Sequence, residues 1–211
     1  HPTNRRQRQM CIRDSLFTVF TAGAAGTING LGNEAVTLSD AITIPQANAI
    51  NALTTGVVTA TIATTAIVDL DDLTGTGNAY TIIIGDANVT AAQLNTVNAA
   101  TTVDVNASAV TTITGTAADL ITVYAATGTI DGLGNEAVTI TDTSINASAL
   151  ITLDAQTTGV VNASSITTLT GSASDQATVR ASSGIIGLPR STTSGAFTQI
   201  GSDINGEAAL D

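Results

Sequence analysis

The chain repeats itself, and that repeat limits what it can fold into more than any single motif does. The run NASAVTTITG at 106–115 returns as NASSITTLTG at 162–171. Thr101 and Thr102 return as Thr157 and Thr158, and Asp86 returns as Asp142, all at an offset of 56 residues. A second echo is exact in letters: GLGNEAVT at 30–37 reappears at 132–139, an offset of 102. Self-similarity at a fixed period marks a repeat architecture and outranks local propensity.

Each large repeat divides into two units of roughly 22–26 residues, the size of leucine-rich-repeat-like coils. In the first, Val138 and Ile140 alternate with Thr139 and Thr141, the period-two pattern of a half-buried strand. Ser144 or Asn146 then caps a short helix carrying Leu150 and Leu153 three apart, with Leu94 and Val97 in those places one repeat earlier. The second unit begins at Thr158, and its helix is announced by Ser172 with Asp175, as upstream by Thr116 with Asp119. A hydroxyl followed three residues later by a carboxylate is a capping-box pattern. Leu120, Val123 and Tyr124 then share one helical face.

One unit cannot fold alone. It buries about five aliphatic side chains at roughly 1.5–3 kcal/mol each, while ordering about 22 residues costs on the order of 1–2 kcal/mol each. Stacked neighbours must supply the difference. A strand–helix–strand path that returns to a parallel neighbour is almost always right-handed. The expected fold class is α/β: a right-handed β/α solenoid with parallel strands on one wall and short helices on the other.

Residues 5–15, RRQRQMCIRDS, read differently. Back-translated, they resemble a transposase-based sequencing adapter over eleven consecutive codons. Residues 1–15 are therefore expected to be an adapter artefact without structure, 16–188 the repeat solenoid, and 189–211 a linker and the truncated start of a following domain. Setting the prefix aside removes Arg5, Arg6, Arg8, Arg13 and the sole cysteine, Cys11. Two arginines, Arg180 and Arg190, then face 16 acids, a net charge of −14. Nucleic-acid binding leans on Lys and Arg at the phosphates, so that class is excluded. The longest aliphatic run is Ile82 to Ile84, too short to enter a bilayer. Without cysteine there is neither a disulfide framework nor a thiolate metal site.

In chain order, 16–25 enters mid-repeat, with Phe20 where Tyr124 stands later. Ile44 and Pro45 open a helix, since proline is tolerated in its first turn. Residues 57–73 diverge most; Asp69, Asp71 and Asp72 replace the usual cap. Residues 81–85 restore the strand. In the last unit Gln176 and Arg180 stand where Leu120 and Tyr124 stood, the polar outer face that a terminal repeat needs. PRSTTSGA at 189–196 is linker by composition.

The final stretch, FTQIGSDINGEAALD at 197–211, resembles the opening of FG-GAP-like β-propeller blades of large bacterial surface proteins, and implies that the natural chain continues beyond Asp211. The Thr/Ala/Asn-rich units, with GLGNEAVT, TTGVVNASSITTLTG and TGTAAD, are similar to repeats of very large secreted or cell-surface bacterial proteins. That resemblance implies an adhesin-like, extracellular role and export by type I secretion. The glycine-rich calcium nonapeptides of many such proteins are absent.

Candidate sites are few. Asp69, Asp71 and Asp72 offer the oxygen ligands that calcium takes; the alternative is a solvated acidic turn, since EF-hand spacing is missing. Asp40, Asp86 and Asp142 recur at strand ends, where a turn or cap role outweighs catalysis. Asn106 and Asn162 either bond turn backbone as a buried ladder or act as glycosylation acceptors. Gly30-Leu-Gly32 and Gly132-Leu-Gly134 lack the third glycine of a dinucleotide fingerprint and read as turns. His1 is the only histidine and lies in the prefix, which removes His-based triads and zinc sites. Thr139 and Thr141, with Thr37 and Ser39, begin a threonine array of the ice-binding kind that other strands interrupt.

The sequence thus leads to the expectation of a non-catalytic structural or adhesive repeat segment of a large extracellular bacterial protein. It needs no cofactor, and its partners are neighbouring repeats, surface polysaccharide or another surface protein. The alternatives are a calcium-stabilised secreted module and a carbohydrate-active enzyme on a β-helix.

Overall fold

A computed structural model of the 211-residue chain describes residues 32–126 and 128–189. The adapter-like prefix, the segment 16–31, and 190–211 with the blade-like stretch lie outside the described residues.

The described chain is mixed α/β. Its helices are α1 (Ile44–Asn51), α2 (Ile67–Leu70), α3 (Ala91–Ala99), α4 (Ala117–Ala125), α5 (Ala147–Asp154) and α6 (Ala173–Ala181). Between them run short strands: β1 (Val36–Thr37), β2 (Val58–Thr61), β3 (Ala79–Thr81), β4 (Asn88–Thr90), β5 (Val105–Asn106), β6 (Thr112–Gly115), β7 (Ile130–Asp131), β8 (Ala137–Ile140), β9 (Ser144–Asn146), β10 (Val161–Asn162), β11 (Thr168–Thr170) and β12 (Ile185–Ile186). Every pairing among these strands is parallel. The largest sheet has the order β12-β10-β8-β6-β4; β1-β2-β3 form a second, and β9 with β11 and β5 with β7 form two more.

The register explains the hydrophobic pattern. Val89 pairs with Ile113, Ile113 with Val138, Val138 with Val161 and Val161 with Ile185. All five are buried, so one aliphatic side chain from each strand stacks on the next. Because strand side chains alternate, Thr112, Thr114 and Thr139 stand on the other face. From the helices, Leu94, Leu120 and Leu150 are fully buried, as are Val97, Val123 and Leu153 one turn later. Successive helices from α2 to α6 pack on one another in sequence order. These residues form one continuous hydrophobic cluster from Val36 to Ile185.

The helix starts are read correctly from their caps. Thr116 and Ser172 accept from the backbone N–H of Asp119 and Asp175, and Asn146 accepts from that of Ser148. The acids differ in detail from a capping box. Asp119 Oδ2 accepts from the Thr116 hydroxyl at 2.8 Å instead of returning to the cap backbone. True reciprocal boxes occur at Thr90 with Gln93 and at Thr43 with Gln46, where glutamine has the extra methylene to reach back. Residues 57–73 contain a regular strand, β2, and a single helical turn, α2. Asp69, Asp71 and Asp72 do not cap it: the Ile67 N–H at its start is taken by Asp86 Oδ2 at 2.6 Å, from the following strand connection. In α6 only Val179 is buried, consistent with Gln176 and Arg180 replacing apolar residues.

Helices begin at 44, 67, 91, 117, 147 and 173, so successive starts lie 23, 24, 26, 30 and 26 residues apart. The longest of these intervals contains the second GLGNEAVT. Gly134 has φ +125° and Gly32 φ +124°, a backbone region that a Cβ would strain. The two copies therefore share the backbone conformation at this glycine as well as the sequence.

Candidate functional site

The densest polar cluster is built by that motif. Glu136 is only 1% exposed. Its Oε2 accepts from the N–H of Gly134 at 2.7 Å and of Asn135 at 3.0 Å, so the side chain folds back on its own loop. Its Oε1 accepts from the hydroxyl of Tyr124, at the end of α4. Its backbone oxygen accepts from Thr157 Oγ1 at 2.6 Å, and that hydroxyl accepts in turn from the Gly159 N–H at 3.0 Å. A Cβ at position 159 would collide with the Glu136 carbonyl, which is why the connection after α5 carries glycine there. Burial raises the Tyr124 phenol far above its usual range, and the Glu136 carboxylate adds to this.

The loop and threonine bonds recur at the first copy, where the glutamate is half-exposed. Glu34 Oε2 accepts from Gly32 N–H at 2.7 Å and Asn33 N–H at 3.2 Å. Thr54 donates to the Glu34 carbonyl at 2.7 Å and accepts from Gly56. The Glu34 carboxyl is held below its usual range, chiefly by the Gly32 N–H. Buried polar groups with their partners in place rigidify a fold, as Glu136 does; each of the two glutamates bonds the backbone of its own loop.

The recurring threonines are rungs between units. Thr101 donates to Tyr80 O at 2.7 Å, and Thr55, Thr102 and Thr158 donate to Gly32 O, Asn78 O and Gly134 O. A second series joins Thr111 to Ala87 O and Thr167 to Thr143 O, both at 3.0 Å. Asparagines do the same from α1. Asn48 accepts from Thr74 N–H and donates to Asp72 O, and Asn51 accepts from the buried Asn78, which accepts from Val58 N–H. Asn48 and Asn51 recur as Asn95 and Asn98 at the same places in α3, and Asn95 donates to Asp119 O at 3.1 Å as Asn48 does to Asp72 O; this shared spacing is the signal in the sequence that points to them.

The acids at strand ends are caps, but of the other neighbour. Asp142 Oδ2 accepts from Ala117 N–H at 2.7 Å and Asp86 Oδ2 from Ile67 N–H, each serving the helix that precedes it. Asn106 and Asn162 accept from Ser108 N–H and Ser164 N–H, both at 3.0 Å. Asn106 is exposed and Asn162 half-exposed, so they close turns at the surface and form no buried ladder.

Asp69, Asp71 and Asp72 do not converge on one partner, although Asp69 and Asp72 line one cleft. Asp69 accepts from Thr64 Oγ1 at 3.1 Å, and Asp71 accepts from Gln93 Nε2 at 3.3 Å. Asp72 is exposed, and its carbonyl takes Asn48. Among the described residues no group of three or more His, Cys, Asp or Glu side chains could hold a metal ion. A cleft of about 770 Å³ opens beside the start of α1, with Ile44, Pro45, Ala63, Asp69 and Asp72 among its lining. No helix among the described residues is long and apolar enough to cross a membrane. No protein-family model, curated protein or solved structure matches the chain.

Proposed function

We propose that the chain is a segment of a right-handed β/α solenoid, with leucine-rich-repeat-like coils, that serves as a non-catalytic structural and adhesive repeat of a large extracellular bacterial surface protein. The observation that carries this reading is where the recurring polar side chains are spent. Thr54, Thr101 and Thr157, Asp86 and Asp142, and Glu34 and Glu136 each bond backbone of their own or an adjacent unit. Repetition in this chain thus maintains stacking between units, which is what a repeat spacer requires. The parallel pairings at steps of 20 to 25 residues, such as Thr59 with Ala79 and Thr112 with Ala137, support the same reading.

The test is turnover. The full chain is incubated with a panel of neutral and acidic polysaccharides, and release of reducing ends is followed. None is expected above a heat-denatured control; reproducible release from any member rejects the non-catalytic reading.

A further inference from the structure

Threonines in this chain fall into two populations. Those in turns and at helix ends are bonded within the fold, as at positions 101, 111, 157 and 167. Those on the outer face of the five-stranded sheet are not: the hydroxyls of Thr112, Thr114 and Thr139 make no hydrogen bond among the described residues. The parallel register sets Thr114 beside Thr139 and Thr139 beside Asn162, with Asn88 beside Thr112 in the adjoining file. Paired strands lie roughly 4.8 Å apart and alternate residues along a strand roughly 6.6 Å apart. The result is a file of hydroxyl and amide groups, Thr114, Thr139 and Asn162, ending at Ile186, flanked by a shorter file of Asn88 and Thr112 that ends at Ala137.

The strands of this face carry no charge. The sequence has 17 acids and a net charge of −11, yet the twelve described strands contain one charged residue, Asp131, outside this sheet. An anionic polymer would be repelled by the acids of the turns and helices. A cationic one would find no carboxylate on the strands of this sheet. A neutral polymer with repeating hydroxyls meets matching donors and acceptors from β4 to β10, and the exposed Ile186 of β12 at the end of the file. The face has no aromatic ring, so each contact is weak and affinity rests on their number.

Resting on the adhesive reading above, we propose that the outer face of this sheet is a docking surface for a neutral polysaccharide. The test is native affinity electrophoresis of the full chain through gels containing dextran, mixed-linkage β-glucan or galactomannan, with alginate as the anionic polymer. At least one neutral polymer should retard the chain, and alginate should not. The Thr114→Val/Thr139→Val double variant keeps the β-branched shape and loses two hydroxyls; its binding should weaken about tenfold. Ser174→Val, on exposed α6, should bind as the parent does. If the double variant melts early, each single variant is used, with about threefold weakening expected. The proposal is overturned if no neutral polymer retards the chain, if alginate does so equally, or if the variants with valine bind unchanged. Slowed ice recrystallisation without retention assigns the face to ice and also overturns it. Absence of retention together with absence of turnover removes the docking face and leaves the structural reading standing; retention with cleavage removes the non-catalytic reading instead.

Discussion

Tyr124 and Glu136 form a buried hydrogen-bonded pair that joins the end of one helix to the loop of the next unit, with the phenol donating to the carboxylate. The carboxylate is held at its other oxygen by two backbone N–H groups. Tyr124→Phe removes one of three donors from a buried carboxylate without changing the shape of the core. A hydrogen bond to a charged group contributes about 1.5–3 kcal/mol, so urea unfolding should report a loss of that size. A change below about 0.5 kcal/mol would show that the pair does not hold the loop.

The same pair sets an alkaline limit. Burial raises the phenols of both Tyr124 and Tyr80. In the unfolded chain a phenol loses its proton near pH 10, roughly. Above that pH the folded state holds protons that the unfolded state has released, so stability falls as pH rises. Below it these groups contribute no slope. The slope from Tyr124, whose phenol is raised furthest, reaches about 1.4 kcal/mol per pH unit. Melting curves of the parent from pH 9 to 12 should steepen above about pH 10, and Tyr124→Phe should flatten that limb.

Tyr80 provides the opposite case. It is fully buried, and its hydroxyl has no hydrogen-bond partner among the described residues. An unsatisfied buried hydroxyl costs about 1–3 kcal/mol. Tyr80→Phe deletes the hydroxyl and keeps the ring, so it should stabilise the fold and raise Tm by about 2–4 °C per kcal/mol. A lowered Tm would mean that this hydroxyl is satisfied in solution.

Much of this fold is legible in the sequence because it rests on local rules. The alternation of Val138 and Ile140 with threonines, the spacing of Leu150 and Leu153, and the caps at Thr116 and Ser172 each need only a few consecutive residues. What repetition cannot show is which neighbour a recurring residue serves. Asp142 precedes α5 in sequence but bonds the start of α4. Tyr124 and Glu136 meet only because a loop closes over 12 residues, and no spacing rule announces that contact. Thr90 with Gln93 was within reach of local reasoning, since glutamine completes a capping box as well as glutamate does.

The division of threonines into rungs and outer-face residues gives a direct comparison. Thr157→Val strands the Glu136 carbonyl and the Gly159 N–H, and should cost about 1–3 kcal/mol. Thr112→Val removes a hydroxyl with no bond among the described residues and should stay within about 0.5 kcal/mol of the parent. Equal losses in urea unfolding would contradict the rung assignment.

Asp142 tests whether units are tied to the neighbour before or after them. Its carboxylate accepts the Ala117 N–H across 25 residues, while Thr116 caps the same helix locally through Asp119 N–H. Asp142→Ala therefore leaves the first N–H of α4 unsatisfied, at a cost of about 0.5–2 kcal/mol. Asp142→Asn keeps an acceptor oxygen, loses the charge that favours the positive helix end, and should lose less. Hydrogen exchange locates the effect: Asp142→Ala should accelerate exchange across α4 and spare α5, although α5 is nearer in sequence. Faster exchange confined to α5 would mean that the aspartate serves the helix it precedes, and the tie between units at this position would have to be sought elsewhere.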